Sequence, residues 1–321
     1  MYQEMINFLN TNFSNKSVKN NDKKLVSNFL CKKNILLLLE EILNNDKLLN
    51  TISKRSYIHA LGFDKIVIAD LSQDISPDSP KAQIRLHIWN PLNTNALPIV
   101  ESMHEHSFDF ISTILTGHLE NQQFTMNKKL TDNDERILNN LKDWILSSHS
   151  DKIQLLNDYI EALEAKRLTF YYSNQFDKMY DTKIDYIKLV QELTGFTQTD
   201  IVMSLISLQG HYVSNRITGE KKSYKHILQK YVSIHPYFVY RLNPGDTYFH
   251  PYELPHRLYY DNKELNSTIL LTTPVKENTS GGSLQRPTYI QNEEQNYNKI
   301  SYTEDIFYKN IKNYFEYLKL N

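Results

Sequence analysis

Met103-His104-Glu105-His106 opens a run in which Phe108, Phe110, Ser112 and Ile114 recur at every second position. In an extended chain, residues i and i+2 point to the same face. His104 and His106 can therefore present two imidazoles to one point, at the mouth of an apolar interior. Neutral imidazole is a usual donor for iron, zinc, nickel and copper. An isolated His-x-His pair on a surface hairpin is just as common, so this stretch needs a second half.

The second half lies about 140 residues on. Asn243-Pro-Gly-Asp246 is a strong turn signal. Tyr248-Phe-His-Pro-Tyr-Glu-Leu-Pro-His256 follows, and its two prolines bracket a tight bend that delivers His256 onto a new strand. A third ligand arriving from a distant strand is what a mononuclear metal site needs.

Outward from these two stretches, the chain alternates between strand and helix patterns. Residues 1 to about 60 read as helical, with an apolar stripe at Leu36, Leu37, Leu39, Ile42 and Leu43. Strands are expected at Phe63–Ala69, Gln83–Trp89, Ser107–Leu115 and His118–Met126, the last two joined by a turn at Thr116-Gly117. From about 130 to 200 the apolar period switches from 2 to 3.6. Helices are expected there at about 131–145, Asp151–Ala165 and Ile184–Leu193, with Thr131 or Asp132 as the first cap. Ile201–Leu208 reads as a return to strand. Further strands are expected at Tyr231–Leu242, Thr247–Pro251, His256–Tyr260 and Ser267–Thr273, and a helix at Glu304–Leu320. Ser280-Gly-Gly-Ser283 reads as the one flexible spot. The division implied is a helical region 1–60, a barrel 61–275 interrupted at about 130–200, and a tail 276–321.

Both motifs resemble those of the cupin superfamily. Its first motif has His-x-His and, farther on, a Gly that turns the hairpin, matched by His104, His106 and Gly117. The second is matched by Gly245, Asp246, Pro251 and His256, with Glu253 where the family has Gly. The resemblance covers roughly 60–127 and 230–275. It implies a fold that is mainly β with α additions: a cupin-type jelly-roll β-barrel with N-terminal helices, a helical insertion and a C-terminal helix. It also implies His104, His106 and His256 as metal ligands. The family's carboxylate ligand falls at Phe110, and Asp109 beside it points to the other face of an ideal strand. The expected ligand set is thus three histidines, similar to the cysteine-dioxygenase-like branch, whose metal is Fe(II) and whose co-substrate is dioxygen. Another divalent transition metal would fit the same donors. Three neutral ligands leave the ion's charge uncompensated, which favours an anionic, chelating substrate.

Other residues are weighed on the same alternation. Arg85 and His87 share a face with Trp89, and Arg85 would clamp a substrate carboxylate if that face is inward. Tyr248 is a candidate phenol for the same cavity. His250 reads as a neighbour of the site or a surface residue, and Asp246 as a turn residue bonding backbone amides. His118, His149, His211, His226 and His235 lack ligand spacing and read as structural.

Composition bounds the function. Thirty-six Lys plus Arg balance 37 Asp plus Glu, a formal charge of -1, so no basic field favours nucleic acid. Cys31 is the one cysteine, which excludes an intrachain disulfide and a thiolate metal cage. The first 25 residues lack a signal-peptide apolar core, and no apolar run is long enough for a membrane span, so a cytoplasmic protein is expected. The function expected is a metal-dependent oxygenase acting on a small polar metabolite, such as a thiol or amino acid, together with dioxygen. A non-redox isomerase or lyase and a non-catalytic ligand-binding cupin are the alternatives. The insertion's apolar stripes must lean on the barrel or on a second copy in a homodimer.

Overall fold

The computed structural model describes residues 1–14, 16–59, 62–71, 82–90, 103–147, 151–154, 157, 188, 191–192, 207–216, 223–260, 264–274, 282–285, 294–298 and 300–321. Four helices come first: α1 (Tyr2–Phe13), α2 (Lys23–Phe29), α3 (Lys32–Leu43) and α4 (Asp46–Arg55). Strands β1 (Tyr57–Ile58), β2 (Asp64–Asp70), β3 (Gln83–Trp89), β4 (His104–Glu105), β5 (Phe110–Thr116) and β6 (Leu119–Asn127) follow. Then come α5 (Asp132–Ser147), β7 (Leu208–Arg216), the long β8 (Ser223–Leu242), β9 (Thr247–His250), β10 (His256–Tyr260) and β11 (Asn266–Thr272). The chain ends with β12 (Gly282–Gln285), β13 (Glu294–Asn298), β14 (Ile300–Ser301) and α6 (Glu304–Leu320).

Strand order identifies the architecture. One sheet runs β14-β1-β2-β3-β11-β5-β9 and the other β13-β8-β6-β10-β4-β12-β7, and every pairing described is antiparallel. Within them, β3-β11-β5-β9 faces β8-β6-β10-β4, the interleaved order of a two-Greek-key jelly roll of the cupin type. The second sheet also closes on itself: β8 bends and pairs with both β6 and β7, completing a ring through β10, β4 and β12. The fold is thus mainly β with helical additions.

Strand β3 shows how the alternation builds two cores. Ile84, Leu86 and Ile88 turn to the helices, joining one apolar cluster with Leu9, Leu38, Leu39, Ile52, Phe307 and Ile311. The odd positions, Arg85, His87 and Trp89, turn into the jelly roll. There Trp89 packs in a second cluster with Phe63, Phe110, Ile114, Tyr248 and Tyr260. One strand thus buries both faces, and the helices are a cover for the first sheet rather than a wall of the cavity. Gly117 takes φ 72° in the turn between β5 and β6. That left-handed conformation suits glycine, and Asn266 leaves no room for a Cβ there. Among the described residues, no helix is long and apolar enough to cross a membrane.

Three expectations change. His104 and Phe110 do not share a strand: β4 belongs to the second sheet and β5 to the first, so the chain crosses the cavity between His106 and Asp109. Ser283 and Gly282 are not a flexible spot but part of β12, wedged between β4 and β7. Glycine is needed because a Cβ at 282 would lie 2.4 Å from the Tyr212 carbonyl oxygen. The tail also contributes strands as well as its helix. In the insertion, α5 forms and Thr131 caps it, its hydroxyl accepting from Asp134 N at 3.2 Å. Residues 151–154 are helical. Most of the expected helices at 151–165 and 184–193, and residues 201–206 of the expected strand Ile201–Leu208, lie outside the described residues; Ser207 is helical and Leu208 opens β7.

Candidate metal centre

His104, His106 and His256 converge. Their ligating nitrogens lie within 4.8 Å of one another, and no Asp, Glu or Cys joins them among the described residues. The pairing His256↔His104 between β10 and β4 sets two of the rings side by side. Their centroids are 4.5 Å apart. His106, one residue beyond β4, keeps the same orientation and closes the triangle at 4.9 Å from His104 and 5.1 Å from His256.

The donor chemistry fits a divalent ion. The Nε2 atoms of His106 and His256 are 3.0 Å apart. Two nitrogens each about 2.1 Å from one ion, at roughly 90–110°, stand about 3.0–3.4 Å from each other. Burial is the main reason that His106 and His256 are held well below the ordinary histidine range, with neighbouring histidines, and for His106 also Lys65 and Arg85, adding to it. Both rings are therefore neutral near pH 7, with a lone pair to offer. Asn121 selects which one. Its Oδ1 accepts from His256 Nδ1–H at 3.0 Å, leaving Nε2 as the acceptor that faces His106.

His250 packs under this triad without joining it. Its ring lies 4.1 Å from that of His256 and stacks on Phe110 at 4.8 Å. Both nitrogens are engaged: Gln123 Nε2 donates to Nδ1 at 2.9 Å, and Nε2–H donates to the Leu254 carbonyl at 2.9 Å. Burial pushes its pKa down to about 3. Phe110, where the sequence resemblance would put a carboxylate, stands edge-on to His106 at 5.1 Å. Asp109 is turned away and accepts from Tyr252 N at 3.0 Å. Asp246 accepts from Asn243 N at 2.8 Å, as a turn residue should.

The remaining candidates line the same interior. Arg85 is 7% exposed, its Nε donating to Gln83 Oε1 at 2.7 Å and its guanidinium 4.8 Å above the Phe108 ring. Phe108 in turn lies 5.0 Å from His106. His87 packs against Phe63 at 4.7 Å, and its buried Nε2 has no hydrogen-bond partner among the described residues. Burial, then the charges of Lys65 and Arg85, hold His87 well below the usual range. Tyr248 is buried against Phe110 and Tyr240. Lys65, directly across from His87, adds a second cation to this face.

Sequence reasoning missed Asn121, Gln123, Glu105 and His211. The first two had a signal: polar residues at every second position of a strand, in phase with the inward side. Glu105 and His211 had none, because their strands are separated by β12 and a hundred residues of chain.

The chain matches no protein-family model and no curated protein. Among solved structures it is similar to a chain from the crystal structures of the DMSP lyases RdDddP and RnDddQII, at 10% identity and a TM-score of 0.25. That likeness covers 68% of this chain and 51% of the other, so this chain spans about half of its length.

Proposed function

We propose that this protein is a metal-dependent cupin enzyme, and that it is an Fe(II)-dependent oxygenase of a small anionic metabolite, a thiol or an amino acid. The observation that carries the reading is the all-neutral triad: three imidazoles and no carboxylate among the described residues of the cluster. Such a donor set leaves the full charge of a divalent ion to be balanced by the substrate. Arg85 and Lys65, on the facing sheet, favour the same sign of substrate.

His104, His106 and His256 would hold the ion. Ferrous iron, when bound, supplies a place for substrate and dioxygen side by side and a route for electrons between them. The chain's own residues bind and orient. Arg85 would clamp a carboxylate through its planar fork, with Phe108 beneath fixing its plane. His87 Nε2 would bond a polar atom of the substrate, which would satisfy it. Phe108, Phe110 and Trp89 keep water from the reacting groups. His250 is no candidate base, since both its nitrogens are bonded. A cytoplasmic location belongs to the same proposal.

A non-redox elimination or isomerisation is the second reading, favoured by the buried tyrosines Tyr248 and Tyr260 in the interior. One experiment separates the two. Protein purified without nickel resin is analysed for metal, loaded with Fe(II), and screened for oxygen uptake with small thiols and amino acids. Uptake that requires both iron and substrate supports the oxygenase. Turnover of a substrate under anaerobic conditions would overturn it in favour of the second reading. Replacing His104, His106 or His256 with Ala should each strip most of the metal; retention of one ion per chain by all three variants would mean that the ligand set is wrong.

A further inference from the structure

Glu105 stands between two of the three histidines, on the opposite face of its strand. There its Oε1 accepts from His211 Nε2–H at 2.6 Å. The two residues are not on neighbouring strands. Glu105 lies on β4 and His211 on β7, with β12 between them, so their strands are about 9–10 Å apart. The hydrogen bond crosses over Gly282, which pairs directly with Glu105. A Cβ at that position would come within 3.3 Å of both Glu105 Oε1 and His211 Nε2. Both side chains are close to buried, at 12% and 10% exposed.

Little else holds β4 in place. It is two residues long and meets β10 only through His104↔His256. Its other ladder, to β12, has two register pairs, extended by the bond from Leu284 N to the Met103 carbonyl. Past Glu105 the chain leaves the sheet and crosses to β5. A strand so short cannot by itself hold two imidazoles to the few tenths of an ångström that a metal requires.

We propose that the Glu105–His211 bond is a positioning strut for the triad: it ties β4 to β7 across Gly282 and so sets where His104 and His106 point. Neither residue touches the ion. Both act through the backbone of the strand that carries the ligands. This rests on the reading of the triad as a metal site, and the test is arranged so that the two can fail separately.

The probe is Co(II) alone, titrated against a chelator and followed by its visible spectrum. Wild type, Glu105→Ala, His211→Phe, the double variant and Glu105→Gln are compared. Circular dichroism of the metal-free proteins checks that each is folded, and His211→Phe, which keeps the ring volume, stands in if Glu105→Ala is not. The strut predicts a 10–100-fold loss of Co(II) affinity and an altered spectrum in each single variant. The double variant should lose no more than the worse single one, and Glu105→Gln, whose amide oxygen still accepts from His211, should bind like wild type. Affinities within twofold of wild type in both single variants, or additive losses in the double, would overturn the strut and leave the metal site standing. Failure of wild type to bind Co(II) would overturn both.

Discussion

Asn121 on β6 stands two positions from Gln123, the residue opposite His256 on β10, and its side-chain oxygen reaches along the strand to accept the Nδ1 proton of His256 at 3.0 Å. This bond decides which nitrogen of His256 carries its proton. It also holds the ring against rotation. Asn121→Leu keeps the volume and removes the acceptor. It should weaken divalent-metal binding by about 10–100-fold while the metal-free fold persists. Isothermal titration with Co(II) measures this; unchanged affinity would show that the ring is held by packing on His250 and Phe110 instead.

Phe110 is buried between His106 and His250, at the position where the sequence resemblance would put a carboxylate. Phe110→Glu would put an anion into an apolar slot. Without metal the variant should be less stable than wild type, because a buried carboxylate lacks a partner there. With metal the order should reverse, since the carboxylate can then join the triad and neutralise part of the charge. Melting temperatures with and without Co(II) give both halves of the test. A metal-induced increase no larger than that of wild type would mean that the carboxylate points away from the histidines.

The strands, and hence the site, were legible because alternate side chains go to opposite faces, as in β3, whose two sets join different cores. Gln83–Trp89 and His256–Tyr260 are found with the expected bounds, and the Glu304–Leu320 helix likewise. The triad was legible from His-x-His and the proline-bracketed turn before His256. What period 2 cannot show is which sheet a strand joins. His104 and Phe110 keep the same phase on either side of a sheet-to-sheet crossing, so the sequence looks continuous where the structure is not. Nor can local pattern show that Gly282 and Ser283 in the tail belong to a strand. That depends on β4 and β7 leaving a slot which only glycine fits, a property of residues far away in the chain.

Acid should destabilise the metal-free protein well before its carboxylates titrate. In the unfolded chain His250 has the ordinary value of 6.5; in the fold burial lowers it to about 3. Between these values the unfolded state binds the proton and the folded state does not, so stability falls as pH drops through this window. His106 and His256, lowered for the same reason, act in the same direction. Thermal melts in the presence of chelator, taken from pH 7.5 to pH 4, should show the loss beginning near pH 6.5. A flat profile from 7.5 to 5 would contradict the burial of these rings.

Gly117 turns the chain from β5 into β6, and its φ of 72° is one that L residues adopt only at a cost. Gly117→Ala adds about 1–2 kcal/mol of backbone strain. It also sets a methyl group 2.2 Å from Asn266 Oδ1 and 2.9 Å from the Asn266 Cα. The side chain must swing away, and with it goes the bond from His118 N to Asn266 Oδ1, now 2.9 Å long. Losing that bond costs about 1 kcal/mol more, and the part-buried His118 amide left without it adds to the cost. A total of roughly 2–4 kcal/mol should lower the melting temperature by several degrees. Because β6 carries Asn121 and Gln123, the partners of His256 and His250, the strain should also reach the metal. Co(II) affinity should therefore fall in parallel with stability. A variant that melts several degrees lower yet binds Co(II) like wild type would show that the hairpin turn and the histidine triad are mechanically independent.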